Sequence, residues 1–470
     1  LALIGSQEPS DKGGVLAFLP ARARAWLVDR SDRSLAQRMA STAFLIRVVS
    51  AALVYLTQVV LARWMGTFEF GIYVYVWTWV LLIGGLLDLG FCQSAQRFIP
   101  EYQERNSAHH LRGFLSGSRW IAAVAGTVIA GGAALGITFI APALDHYLVV
   151  PLLLACLCLP FFALTGVQEG IARSYNWVNV GLMPPYIVRP ALLIVFMAAA
   201  HAAGLAADAT TAMLAAVAAT WATAILQLFV VNRRLDRAVE GGPRSYPVRT
   251  WLSVSLPILM VESFYLLLTY TDVLVLQLFR PPTDVAHYHA ASKTLALVAF
   301  VSFSVSAAVA HRFTAYHVNG DRERLAALVA DSVRWTFWPS LAATILILLI
   351  GKPLLWLFGP DFVSGYPLMY ILALGLLARA AIGPIERLLN MLGEQRVCAA
   401  VYAGAFALNL VLCLLFVPLF GVAGAAIATS SALIIESILL FTVTKRRLGF
   451  HVFVWGQRQA VADEHRDARQ

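Results

Sequence analysis

Apolar residues in this chain gather into long unbroken runs, not into the alternating or one-faced patterns of soluble strands and helices. They fall at 42–62, 70–96, 119–140, 147–167, 181–203 and 209–231, then at 251–279, 285–311, 335–358, 366–388, 396–418 and 421–444. A helix needs about 20 such residues to cross the hydrocarbon of a bilayer, where every backbone polar group must be satisfied internally. The runs predict an all-α polytopic membrane protein with about twelve transmembrane helices.

The polar connections set an orientation. Arginine and lysine collect in alternate loops: Arg97, Arg105 and Arg112; Arg173; Arg233, Arg234, Arg237, Arg244 and Arg249; Arg312, Arg322 and Arg324; Arg387 and Arg396; Lys445, Arg446 and Arg447. The intervening loops are short, holding Asp145, Asp208, Asp284 and Asp361 with few cations. Loops rich in cations stay in the cytoplasm, so both termini are expected there. The chain divides into a cytoplasmic basic arm (1–40), an N-lobe of spans 1–6 (41–240), a cytoplasmic linker (241–250), a C-lobe of spans 7–12 (251–447) and a cytoplasmic tail (448–470). Trp26 and Leu27 in the arm are expected to rest on membrane lipid.

Composition narrows the function. The 470 residues are 60% hydrophobic and 13% charged, with a mean hydropathy of +0.74. A soluble domain carries about 25% charged residues, so little chain remains for one. The net charge of +9 follows from topology and gives no reason to expect nucleic acid. Cys92, Cys156, Cys158, Cys398 and Cys413 lie in or beside apolar runs without zinc-like spacing and read as packing residues. His287 and His289, in an expected outer loop, lack a third ligand at fixed spacing, so no metal is expected. There is no Walker lysine motif and no nucleophile–base pair; no cofactor is expected, and the chain is not expected to be an enzyme.

The chain also repeats itself. At a shift of 215 residues Arg97-Phe98 falls on Arg312-Phe313, Arg119-Trp120 on Arg334-Trp335, and Tyr55 and Tyr73 on Tyr270 and Tyr288. Gly166-x-x-Glu169 matches Gly383-x-x-Glu386, and Arg233-Arg234-Leu235 matches Arg446-Arg447-Leu448, at nearly the same shift. Two pseudo-symmetric six-helix lobes of like orientation are expected.

Ionisable side chains inside spans are the candidate chemistry, because each is expensive in lipid unless it faces a cavity or a partner. Helical rise places Arg47, Asp88, Arg189, Glu262 and Glu436 in an inner layer, and Asp272 and Lys293 in an outer one. The functional reading puts both layers on a water-filled slot between the lobes, where cations hold an anionic head group and carboxylates pair with them when it is empty. Buried ion pairs that fix helix register are the structural alternative, and snorkelling is a further one for Arg47. Arg379 is mid-span in a straight helix and interfacial in one broken near Gly383-Pro384. Pro184-Pro185 is a second candidate hinge.

Leu61-Ala62-Arg63-Trp64-Met65-Gly66 with Glu69-Phe70-Gly71-Ile72-Tyr73, Asp88-Leu89-Gly90, Asn390-Met391-Leu392-Gly393-Glu394 and the run from Leu419 to Thr429 resemble polysaccharide flippases. The resemblance spans about residues 40 to 450. It points to the multidrug/oligosaccharidyl-lipid/polysaccharide (MOP) exporter superfamily, in its Wzx-like branch. It implies alternating access that flips an undecaprenyl-pyrophosphate-linked oligosaccharide from the cytoplasmic to the periplasmic leaflet of a bacterial inner membrane, for surface polysaccharide such as lipopolysaccharide O-antigen. The implied partners are that substrate, membrane lipids, a coupling proton or sodium, and polymerase and assembly proteins. Substrate would meet Arg47, Lys293, Arg189, Asp88 and Glu262, with Asp272 the candidate ion-coupling residue. A cation-coupled multidrug exporter of the same superfamily is the alternative, favoured by the carboxylates. A major facilitator would need a basic signature loop after span 2 that is missing here, and an envelope scaffold would tolerate loss of every buried charge.

Overall fold

The computed structural model describes residues 32–449 and 452–454, and every regular element among them is helical. The basic arm before Asp32, and the tail apart from Leu448, Gly449 and residues 452–454, lie outside the described residues. Residues 32–40, expected within the arm, already belong to the first helix.

That helix, α1 (Asp32–Leu86), has 55 residues. A straight helix of that length would run about 80 Å, more than twice the thickness of the hydrocarbon. It is broken at Gly66, whose φ of 74° and ψ of 177° are unlike any helical residue and suit only glycine. The halves cross the membrane separately as spans 1 and 2, and span 2 continues after a turn into α2 (Phe91–Glu104). Span 3 is α3 (Ala108–Ile140) and span 4 is α4 (His146–Ser174). Span 5 joins α5 (Val178–Met183) to α6 (Arg189–Ala202), and span 6 is α7 (Ala209–Ala238).

The second lobe opens with α8 (Val248–Phe279) as span 7, then α9 (Pro282–Leu295) and α10 (Ala299–Val318) as span 8. Span 9 is α11 (Arg322–Leu349), followed by the short α12 (Gly351–Phe358). Span 10 is split into α13 (Tyr366–Ala380) and α14 (Ile385–Met391); α15 (Gln395–Phe420) and α16 (Val422–Leu448) complete the set. Among the described residues eleven segments are long and apolar enough to cross a membrane, and the first, Phe44–Glu104, holds two crossings, making twelve. Residues 32 and 448 therefore share one face, here the terminus face; the opposite one is the far face.

Breaks inside spans have local causes. Consecutive prolines at Pro184 and Pro185, with Pro190 beyond, remove backbone donors and leave a π-helical turn over Pro184–Val188. Leu89 (φ 54°) and Gly90 (φ 74°) turn span 2. Gly383 (φ 65°) and Pro384 split span 10.

Packing shows which way the lobes lean. On the far side one continuous apolar core runs through both lobes, from Leu61, Phe70 and Met213 to Val285, Phe358 and Ala428. On the terminus side the cores among the described residues are separate: one in the N-lobe around Phe91 and Phe114, and in the C-lobe one around Phe313 and Leu389 with a smaller one around Val333 and Phe337. The lobes are thus fused at the far end and separate toward the terminus face. Span 7 links them: Trp251 is buried in the N-lobe core and Leu268 in the C-lobe core. Of the cysteines, Cys156, Cys158, Cys398 and Cys413 are buried, and none of the five forms a disulfide.

Candidate functional site

The far closure forms the roof of the slot. Gly71 meets Pro282 so closely that a Cβ would lie 1.8 Å from the Pro282 carbonyl oxygen. Phe70, fully buried, inserts from the N-lobe among Phe358, Phe362 and His289 of the C-lobe. Arg63 reaches across to donate to the Leu357 and Trp356 carbonyls, each at 2.8 Å. These carbonyls end α12, where helix termini leave acceptors open; the Trp356 carbonyl also accepts from the Gly359 amide at 3.1 Å.

Beneath the roof lies a cavity of about 260 Å³ between the lobes. Gln58, Tyr73, Trp77, Tyr186 and Arg189 line it from the N-lobe, and Tyr270, Asp272, His289 and Lys293 from the C-lobe. Arg189 emerges where the π-helical turn passes into α6, and its guanidinium sits 4.7 Å over Phe162 and 5.7 Å from Trp77. Lys293 and His289 stand one turn apart on α9, on the same face. Neither Arg189 nor Lys293 forms an ion pair with a carboxylate among the described residues.

Asp272 is committed differently. It accepts hydrogen bonds from the Tyr288 hydroxyl at 2.5 Å, the Val273 amide at 2.8 Å and the Thr429 hydroxyl at 3.3 Å. Its carboxylate edges the cavity while being held by spans 7, 8 and 12. Nearby, Asn409 on span 11 donates to the Leu268 carbonyl at 3.5 Å.

Toward the terminus face a second cluster follows. Arg47 lies 4.0 Å over the ring of Tyr186, which also lines the cavity above. Glu169 pairs with Arg173 at 3.4 Å and is in electrostatic range of Arg47 and Glu262. Asp88 accepts the Gly90 amide at 2.9 Å across the turn in span 2, and Glu262 is its electrostatic neighbour. Two tiers therefore occupy the slot: Arg47, Asp88, Glu169, Arg173 and Glu262 below, and Arg189, Asp272, His289 and Lys293 above.

Several expectations change. Arg189 belongs with Asp272 and Lys293 in the upper tier, because the π-helical turn carries it under Trp77. Glu436 is not in the slot: it faces Arg379 in the C-lobe, at 3.8 Å. The structural alternative, a buried ion pair, describes that contact. His287 and His289 lie inside α9 and not in a loop. Glu169 and Arg173 were missed because they lie just beyond the apolar run ending at 167, although Glu169 stands in the repeated Gly-x-x-Glu motif. Tyr186 was missed because a tyrosine between prolines carries no charge signal.

A twelve-span bundle of two lobes around a charged slot defines a transporter-type fold. Solved structures with this fold include an inward-facing multidrug resistance MATE family transporter of the MOP superfamily (13% identity, TM-score 0.71, covering 86% of this chain and 98% of that one). The lipid II flippase MurJ in an inward closed conformation is similar at 17% identity and TM-score 0.68, covering 85% and 87%. A MOP superfamily transporter from Pyrococcus furiosus, described as having a binding pocket of reversed polarity, matches at 14% and 0.66, covering 88% and 96%. No curated protein matches the sequence.

The polysaccharide biosynthesis protein family model matches residues 38–316, more than half of the chain, and a MatE model matches residues 257–415. The chain belongs to the polysaccharide biosynthesis protein family, with the fold of the MOP superfamily.

Proposed function

We propose that this protein flips an undecaprenyl-pyrophosphate-linked oligosaccharide between leaflets of the bacterial inner membrane by alternating access, supplying surface polysaccharide synthesis. The carrying observation is that Arg189 and Lys293 line the cavity between the lobes, that Arg47 lies over the ring of Tyr186 from the same lining, and that none of the three forms a carboxylate ion pair among the described residues. A buried unpaired cation is costly, and an entering diphosphate removes that cost through charge-assisted hydrogen bonds. With both termini cytoplasmic, as the basic loops indicate, the slot faces the cytoplasm and is closed toward the periplasm. Substrate then meets Arg47 first, with Asp88 and Glu262 beside it, and passes to Arg189 and Lys293. Asp272, held by Tyr288 and Thr429, is the coupling residue for a proton or sodium. Polymerase and assembly proteins would receive the product.

The test is surface polysaccharide in cells carrying Arg47→Ala or Lys293→Ala at matched protein levels. Undiminished export in both would overturn the anchoring role. A second reading, cation-coupled multidrug export, is favoured by Asp88 and Glu262, which form no ion pair among the described residues. It requires drug susceptibility to rise on deletion while surface polysaccharide stays intact.

A further inference from the structure

The C-lobe contains a second charged cluster, none of whose residues lines the cavity of the slot's upper tier. Arg379 ends α13 and Glu386 begins α14, either side of the break in span 10. One guanidinium nitrogen, Nη2 of Arg379, serves two carboxylates: Glu386 at 3.5 Å and Glu436 at 3.8 Å. Both distances exceed the roughly 2.7–2.9 Å of a made charge-assisted bond. The Glu436 side chain is 0% exposed, and neither of its oxygens has a hydrogen-bond partner. Tyr402 and Tyr265, from spans 11 and 7, face the same group and pack edge to face at 5.7 Å. Two carboxylates thus share one guanidinium, and the site is short of one positive charge. Glu386 is 41% exposed, which leaves the cluster open to the aqueous side.

Register gives this cluster a relation to Asp272. Tyr265 lies seven residues before Asp272 on α8, Tyr402 seven before Asn409 on α15, and Glu436 seven after Thr429 on α16. Given the helix directions, all three offsets point toward the terminus face. Seven residues are two turns, about 10 Å of rise on one helix face. The same three helices therefore carry two stacked polar layers, one at Asp272 and one at Glu436.

We infer that Glu436 and Glu386 form a second station for a monovalent cation, proton or sodium, two turns toward the terminus face from Asp272. The cation supplies the missing charge between the carboxylates. Arg379 holds the empty site and yields Glu436 when the cation arrives. The station does not depend on the flippase reading or on a coupling role for Asp272.

The experiment uses purified full-length protein. Binding of radioactive sodium is measured at pH 8, and proton uptake of the same sample is followed in weak buffer from pH 8 to pH 5. A sodium station shows in wild type as a sodium equivalent that weakens at least tenfold in both Glu436→Gln and Glu386→Gln and persists in Asp272→Asn. A proton station shows as one proton per chain missing from Glu436→Gln, with no sodium signal assigned to it. Wild-type sodium binding and proton uptake in a folded Glu436→Gln overturn the inference. If that variant does not fold, the exposed Glu386→Gln decides in the same way. Loss confined to Asp272→Asn overturns the station and leaves Asp272 standing.

Discussion

Gly71 on span 2 and Pro282 at the start of span 8 touch backbone to backbone, with no room for a side-chain atom between them. This contact, with Phe70 seated in its aromatic socket, brings the far ends of the lobes close enough to share one core. Any residue larger than glycine at 71 must push the lobes apart. Overpacking of this kind costs about 1–3 kcal/mol, charged only to the conformation that is closed at the far face. Gly71→Val is expected to widen the distance between spin labels at positions 143 and 361, on far-face segments of the two lobes, and to lower export. An unchanged distance distribution would contradict the closure described.

Arg63 acts on the same equilibrium through hydrogen bonds. It donates to two terminal carbonyls of α12, one of which also accepts from the Gly359 amide, and lies 4.5 Å over the Trp356 ring. Its exposure limits the net effect to about 1 kcal/mol, which shifts the closed-to-open ratio about fivefold. Arg63→Ala should therefore populate the far-open state in the same spin-label measurement, with thermal stability of the separate lobes little changed.

The architecture was largely legible in the sequence. Apolar runs give the spans because lipid allows no other reading, and each expected run falls on a crossing. What was not legible concerns direction and breaks. The depth of Arg189 depends on a π-helical turn, and no apolar pattern marks where a helix gains a residue per turn. Glu436 looked equivalent to Glu262 by depth, but depth along a helix does not say which neighbour a side chain faces. Only the fold shows that one lies in electrostatic range of Asp88 and Arg173 and the other faces Arg379 within a lobe. Tyr288 is a similar case: its bond to Asp272 is a contact between spans that sixteen residues of sequence separation do not announce.

Arg189 offers a test of geometry as distinct from charge. A planar guanidinium stacks on Phe162 and Trp77, whereas a lysine ammonium is a compact point charge on a flexible stem. Arg189→Lys keeps the charge in the cavity yet loses the stacking that aims it. Export at matched protein levels is expected to fall severalfold in Arg189→Lys. Full activity would mean that a positive charge anywhere in the cavity suffices.

Tyr288 and Asp272 make a short hydrogen bond inside the C-lobe. Tyr288→Phe leaves a buried carboxylate short of one donor, a loss of about 1–3 kcal/mol. Thr429→Val removes the longer 3.3 Å contact to Asp272 and the 3.2 Å contact to the Tyr288 hydroxyl but leaves the short Tyr288–Asp272 bond in place, so it should lower the unfolding temperature less. The order of the two variants in a thermal unfolding series checks the assignment. Equal effects would show that Tyr288 is not the principal partner.

Trp251 ties the start of span 7 to the opposite lobe. It is fully buried beside Phe114, with its indole nitrogen donating to the Tyr102 hydroxyl at 3.0 Å. One turn on, Ser255 donates to Ser94 at 2.7 Å, and the Ser255 carbonyl lies against Gly90. The linker before it is strapped down as well: Arg112 donates to the Glu240 and Pro243 carbonyls, and the Ser245 amide to His109. The first turns of span 7 therefore travel with the N-lobe, while its later turns belong to the C-lobe. When the lobes rock, bending must fall within the helix near Pro257, where a backbone donor is already missing. Trp251→Ala, which removes the largest buried side chain at this junction, should cost about 3–5 kcal/mol and uncouple the lobes. Tyr102→Phe removes only the hydrogen bond, about 1 kcal/mol. Hydrogen exchange over residues 248–256 reads the difference: strong deprotection in Trp251→Ala and little in Tyr102→Phe. If Trp251→Ala leaves that segment as protected as wild type, its burial is not what holds span 7 to the N-lobe.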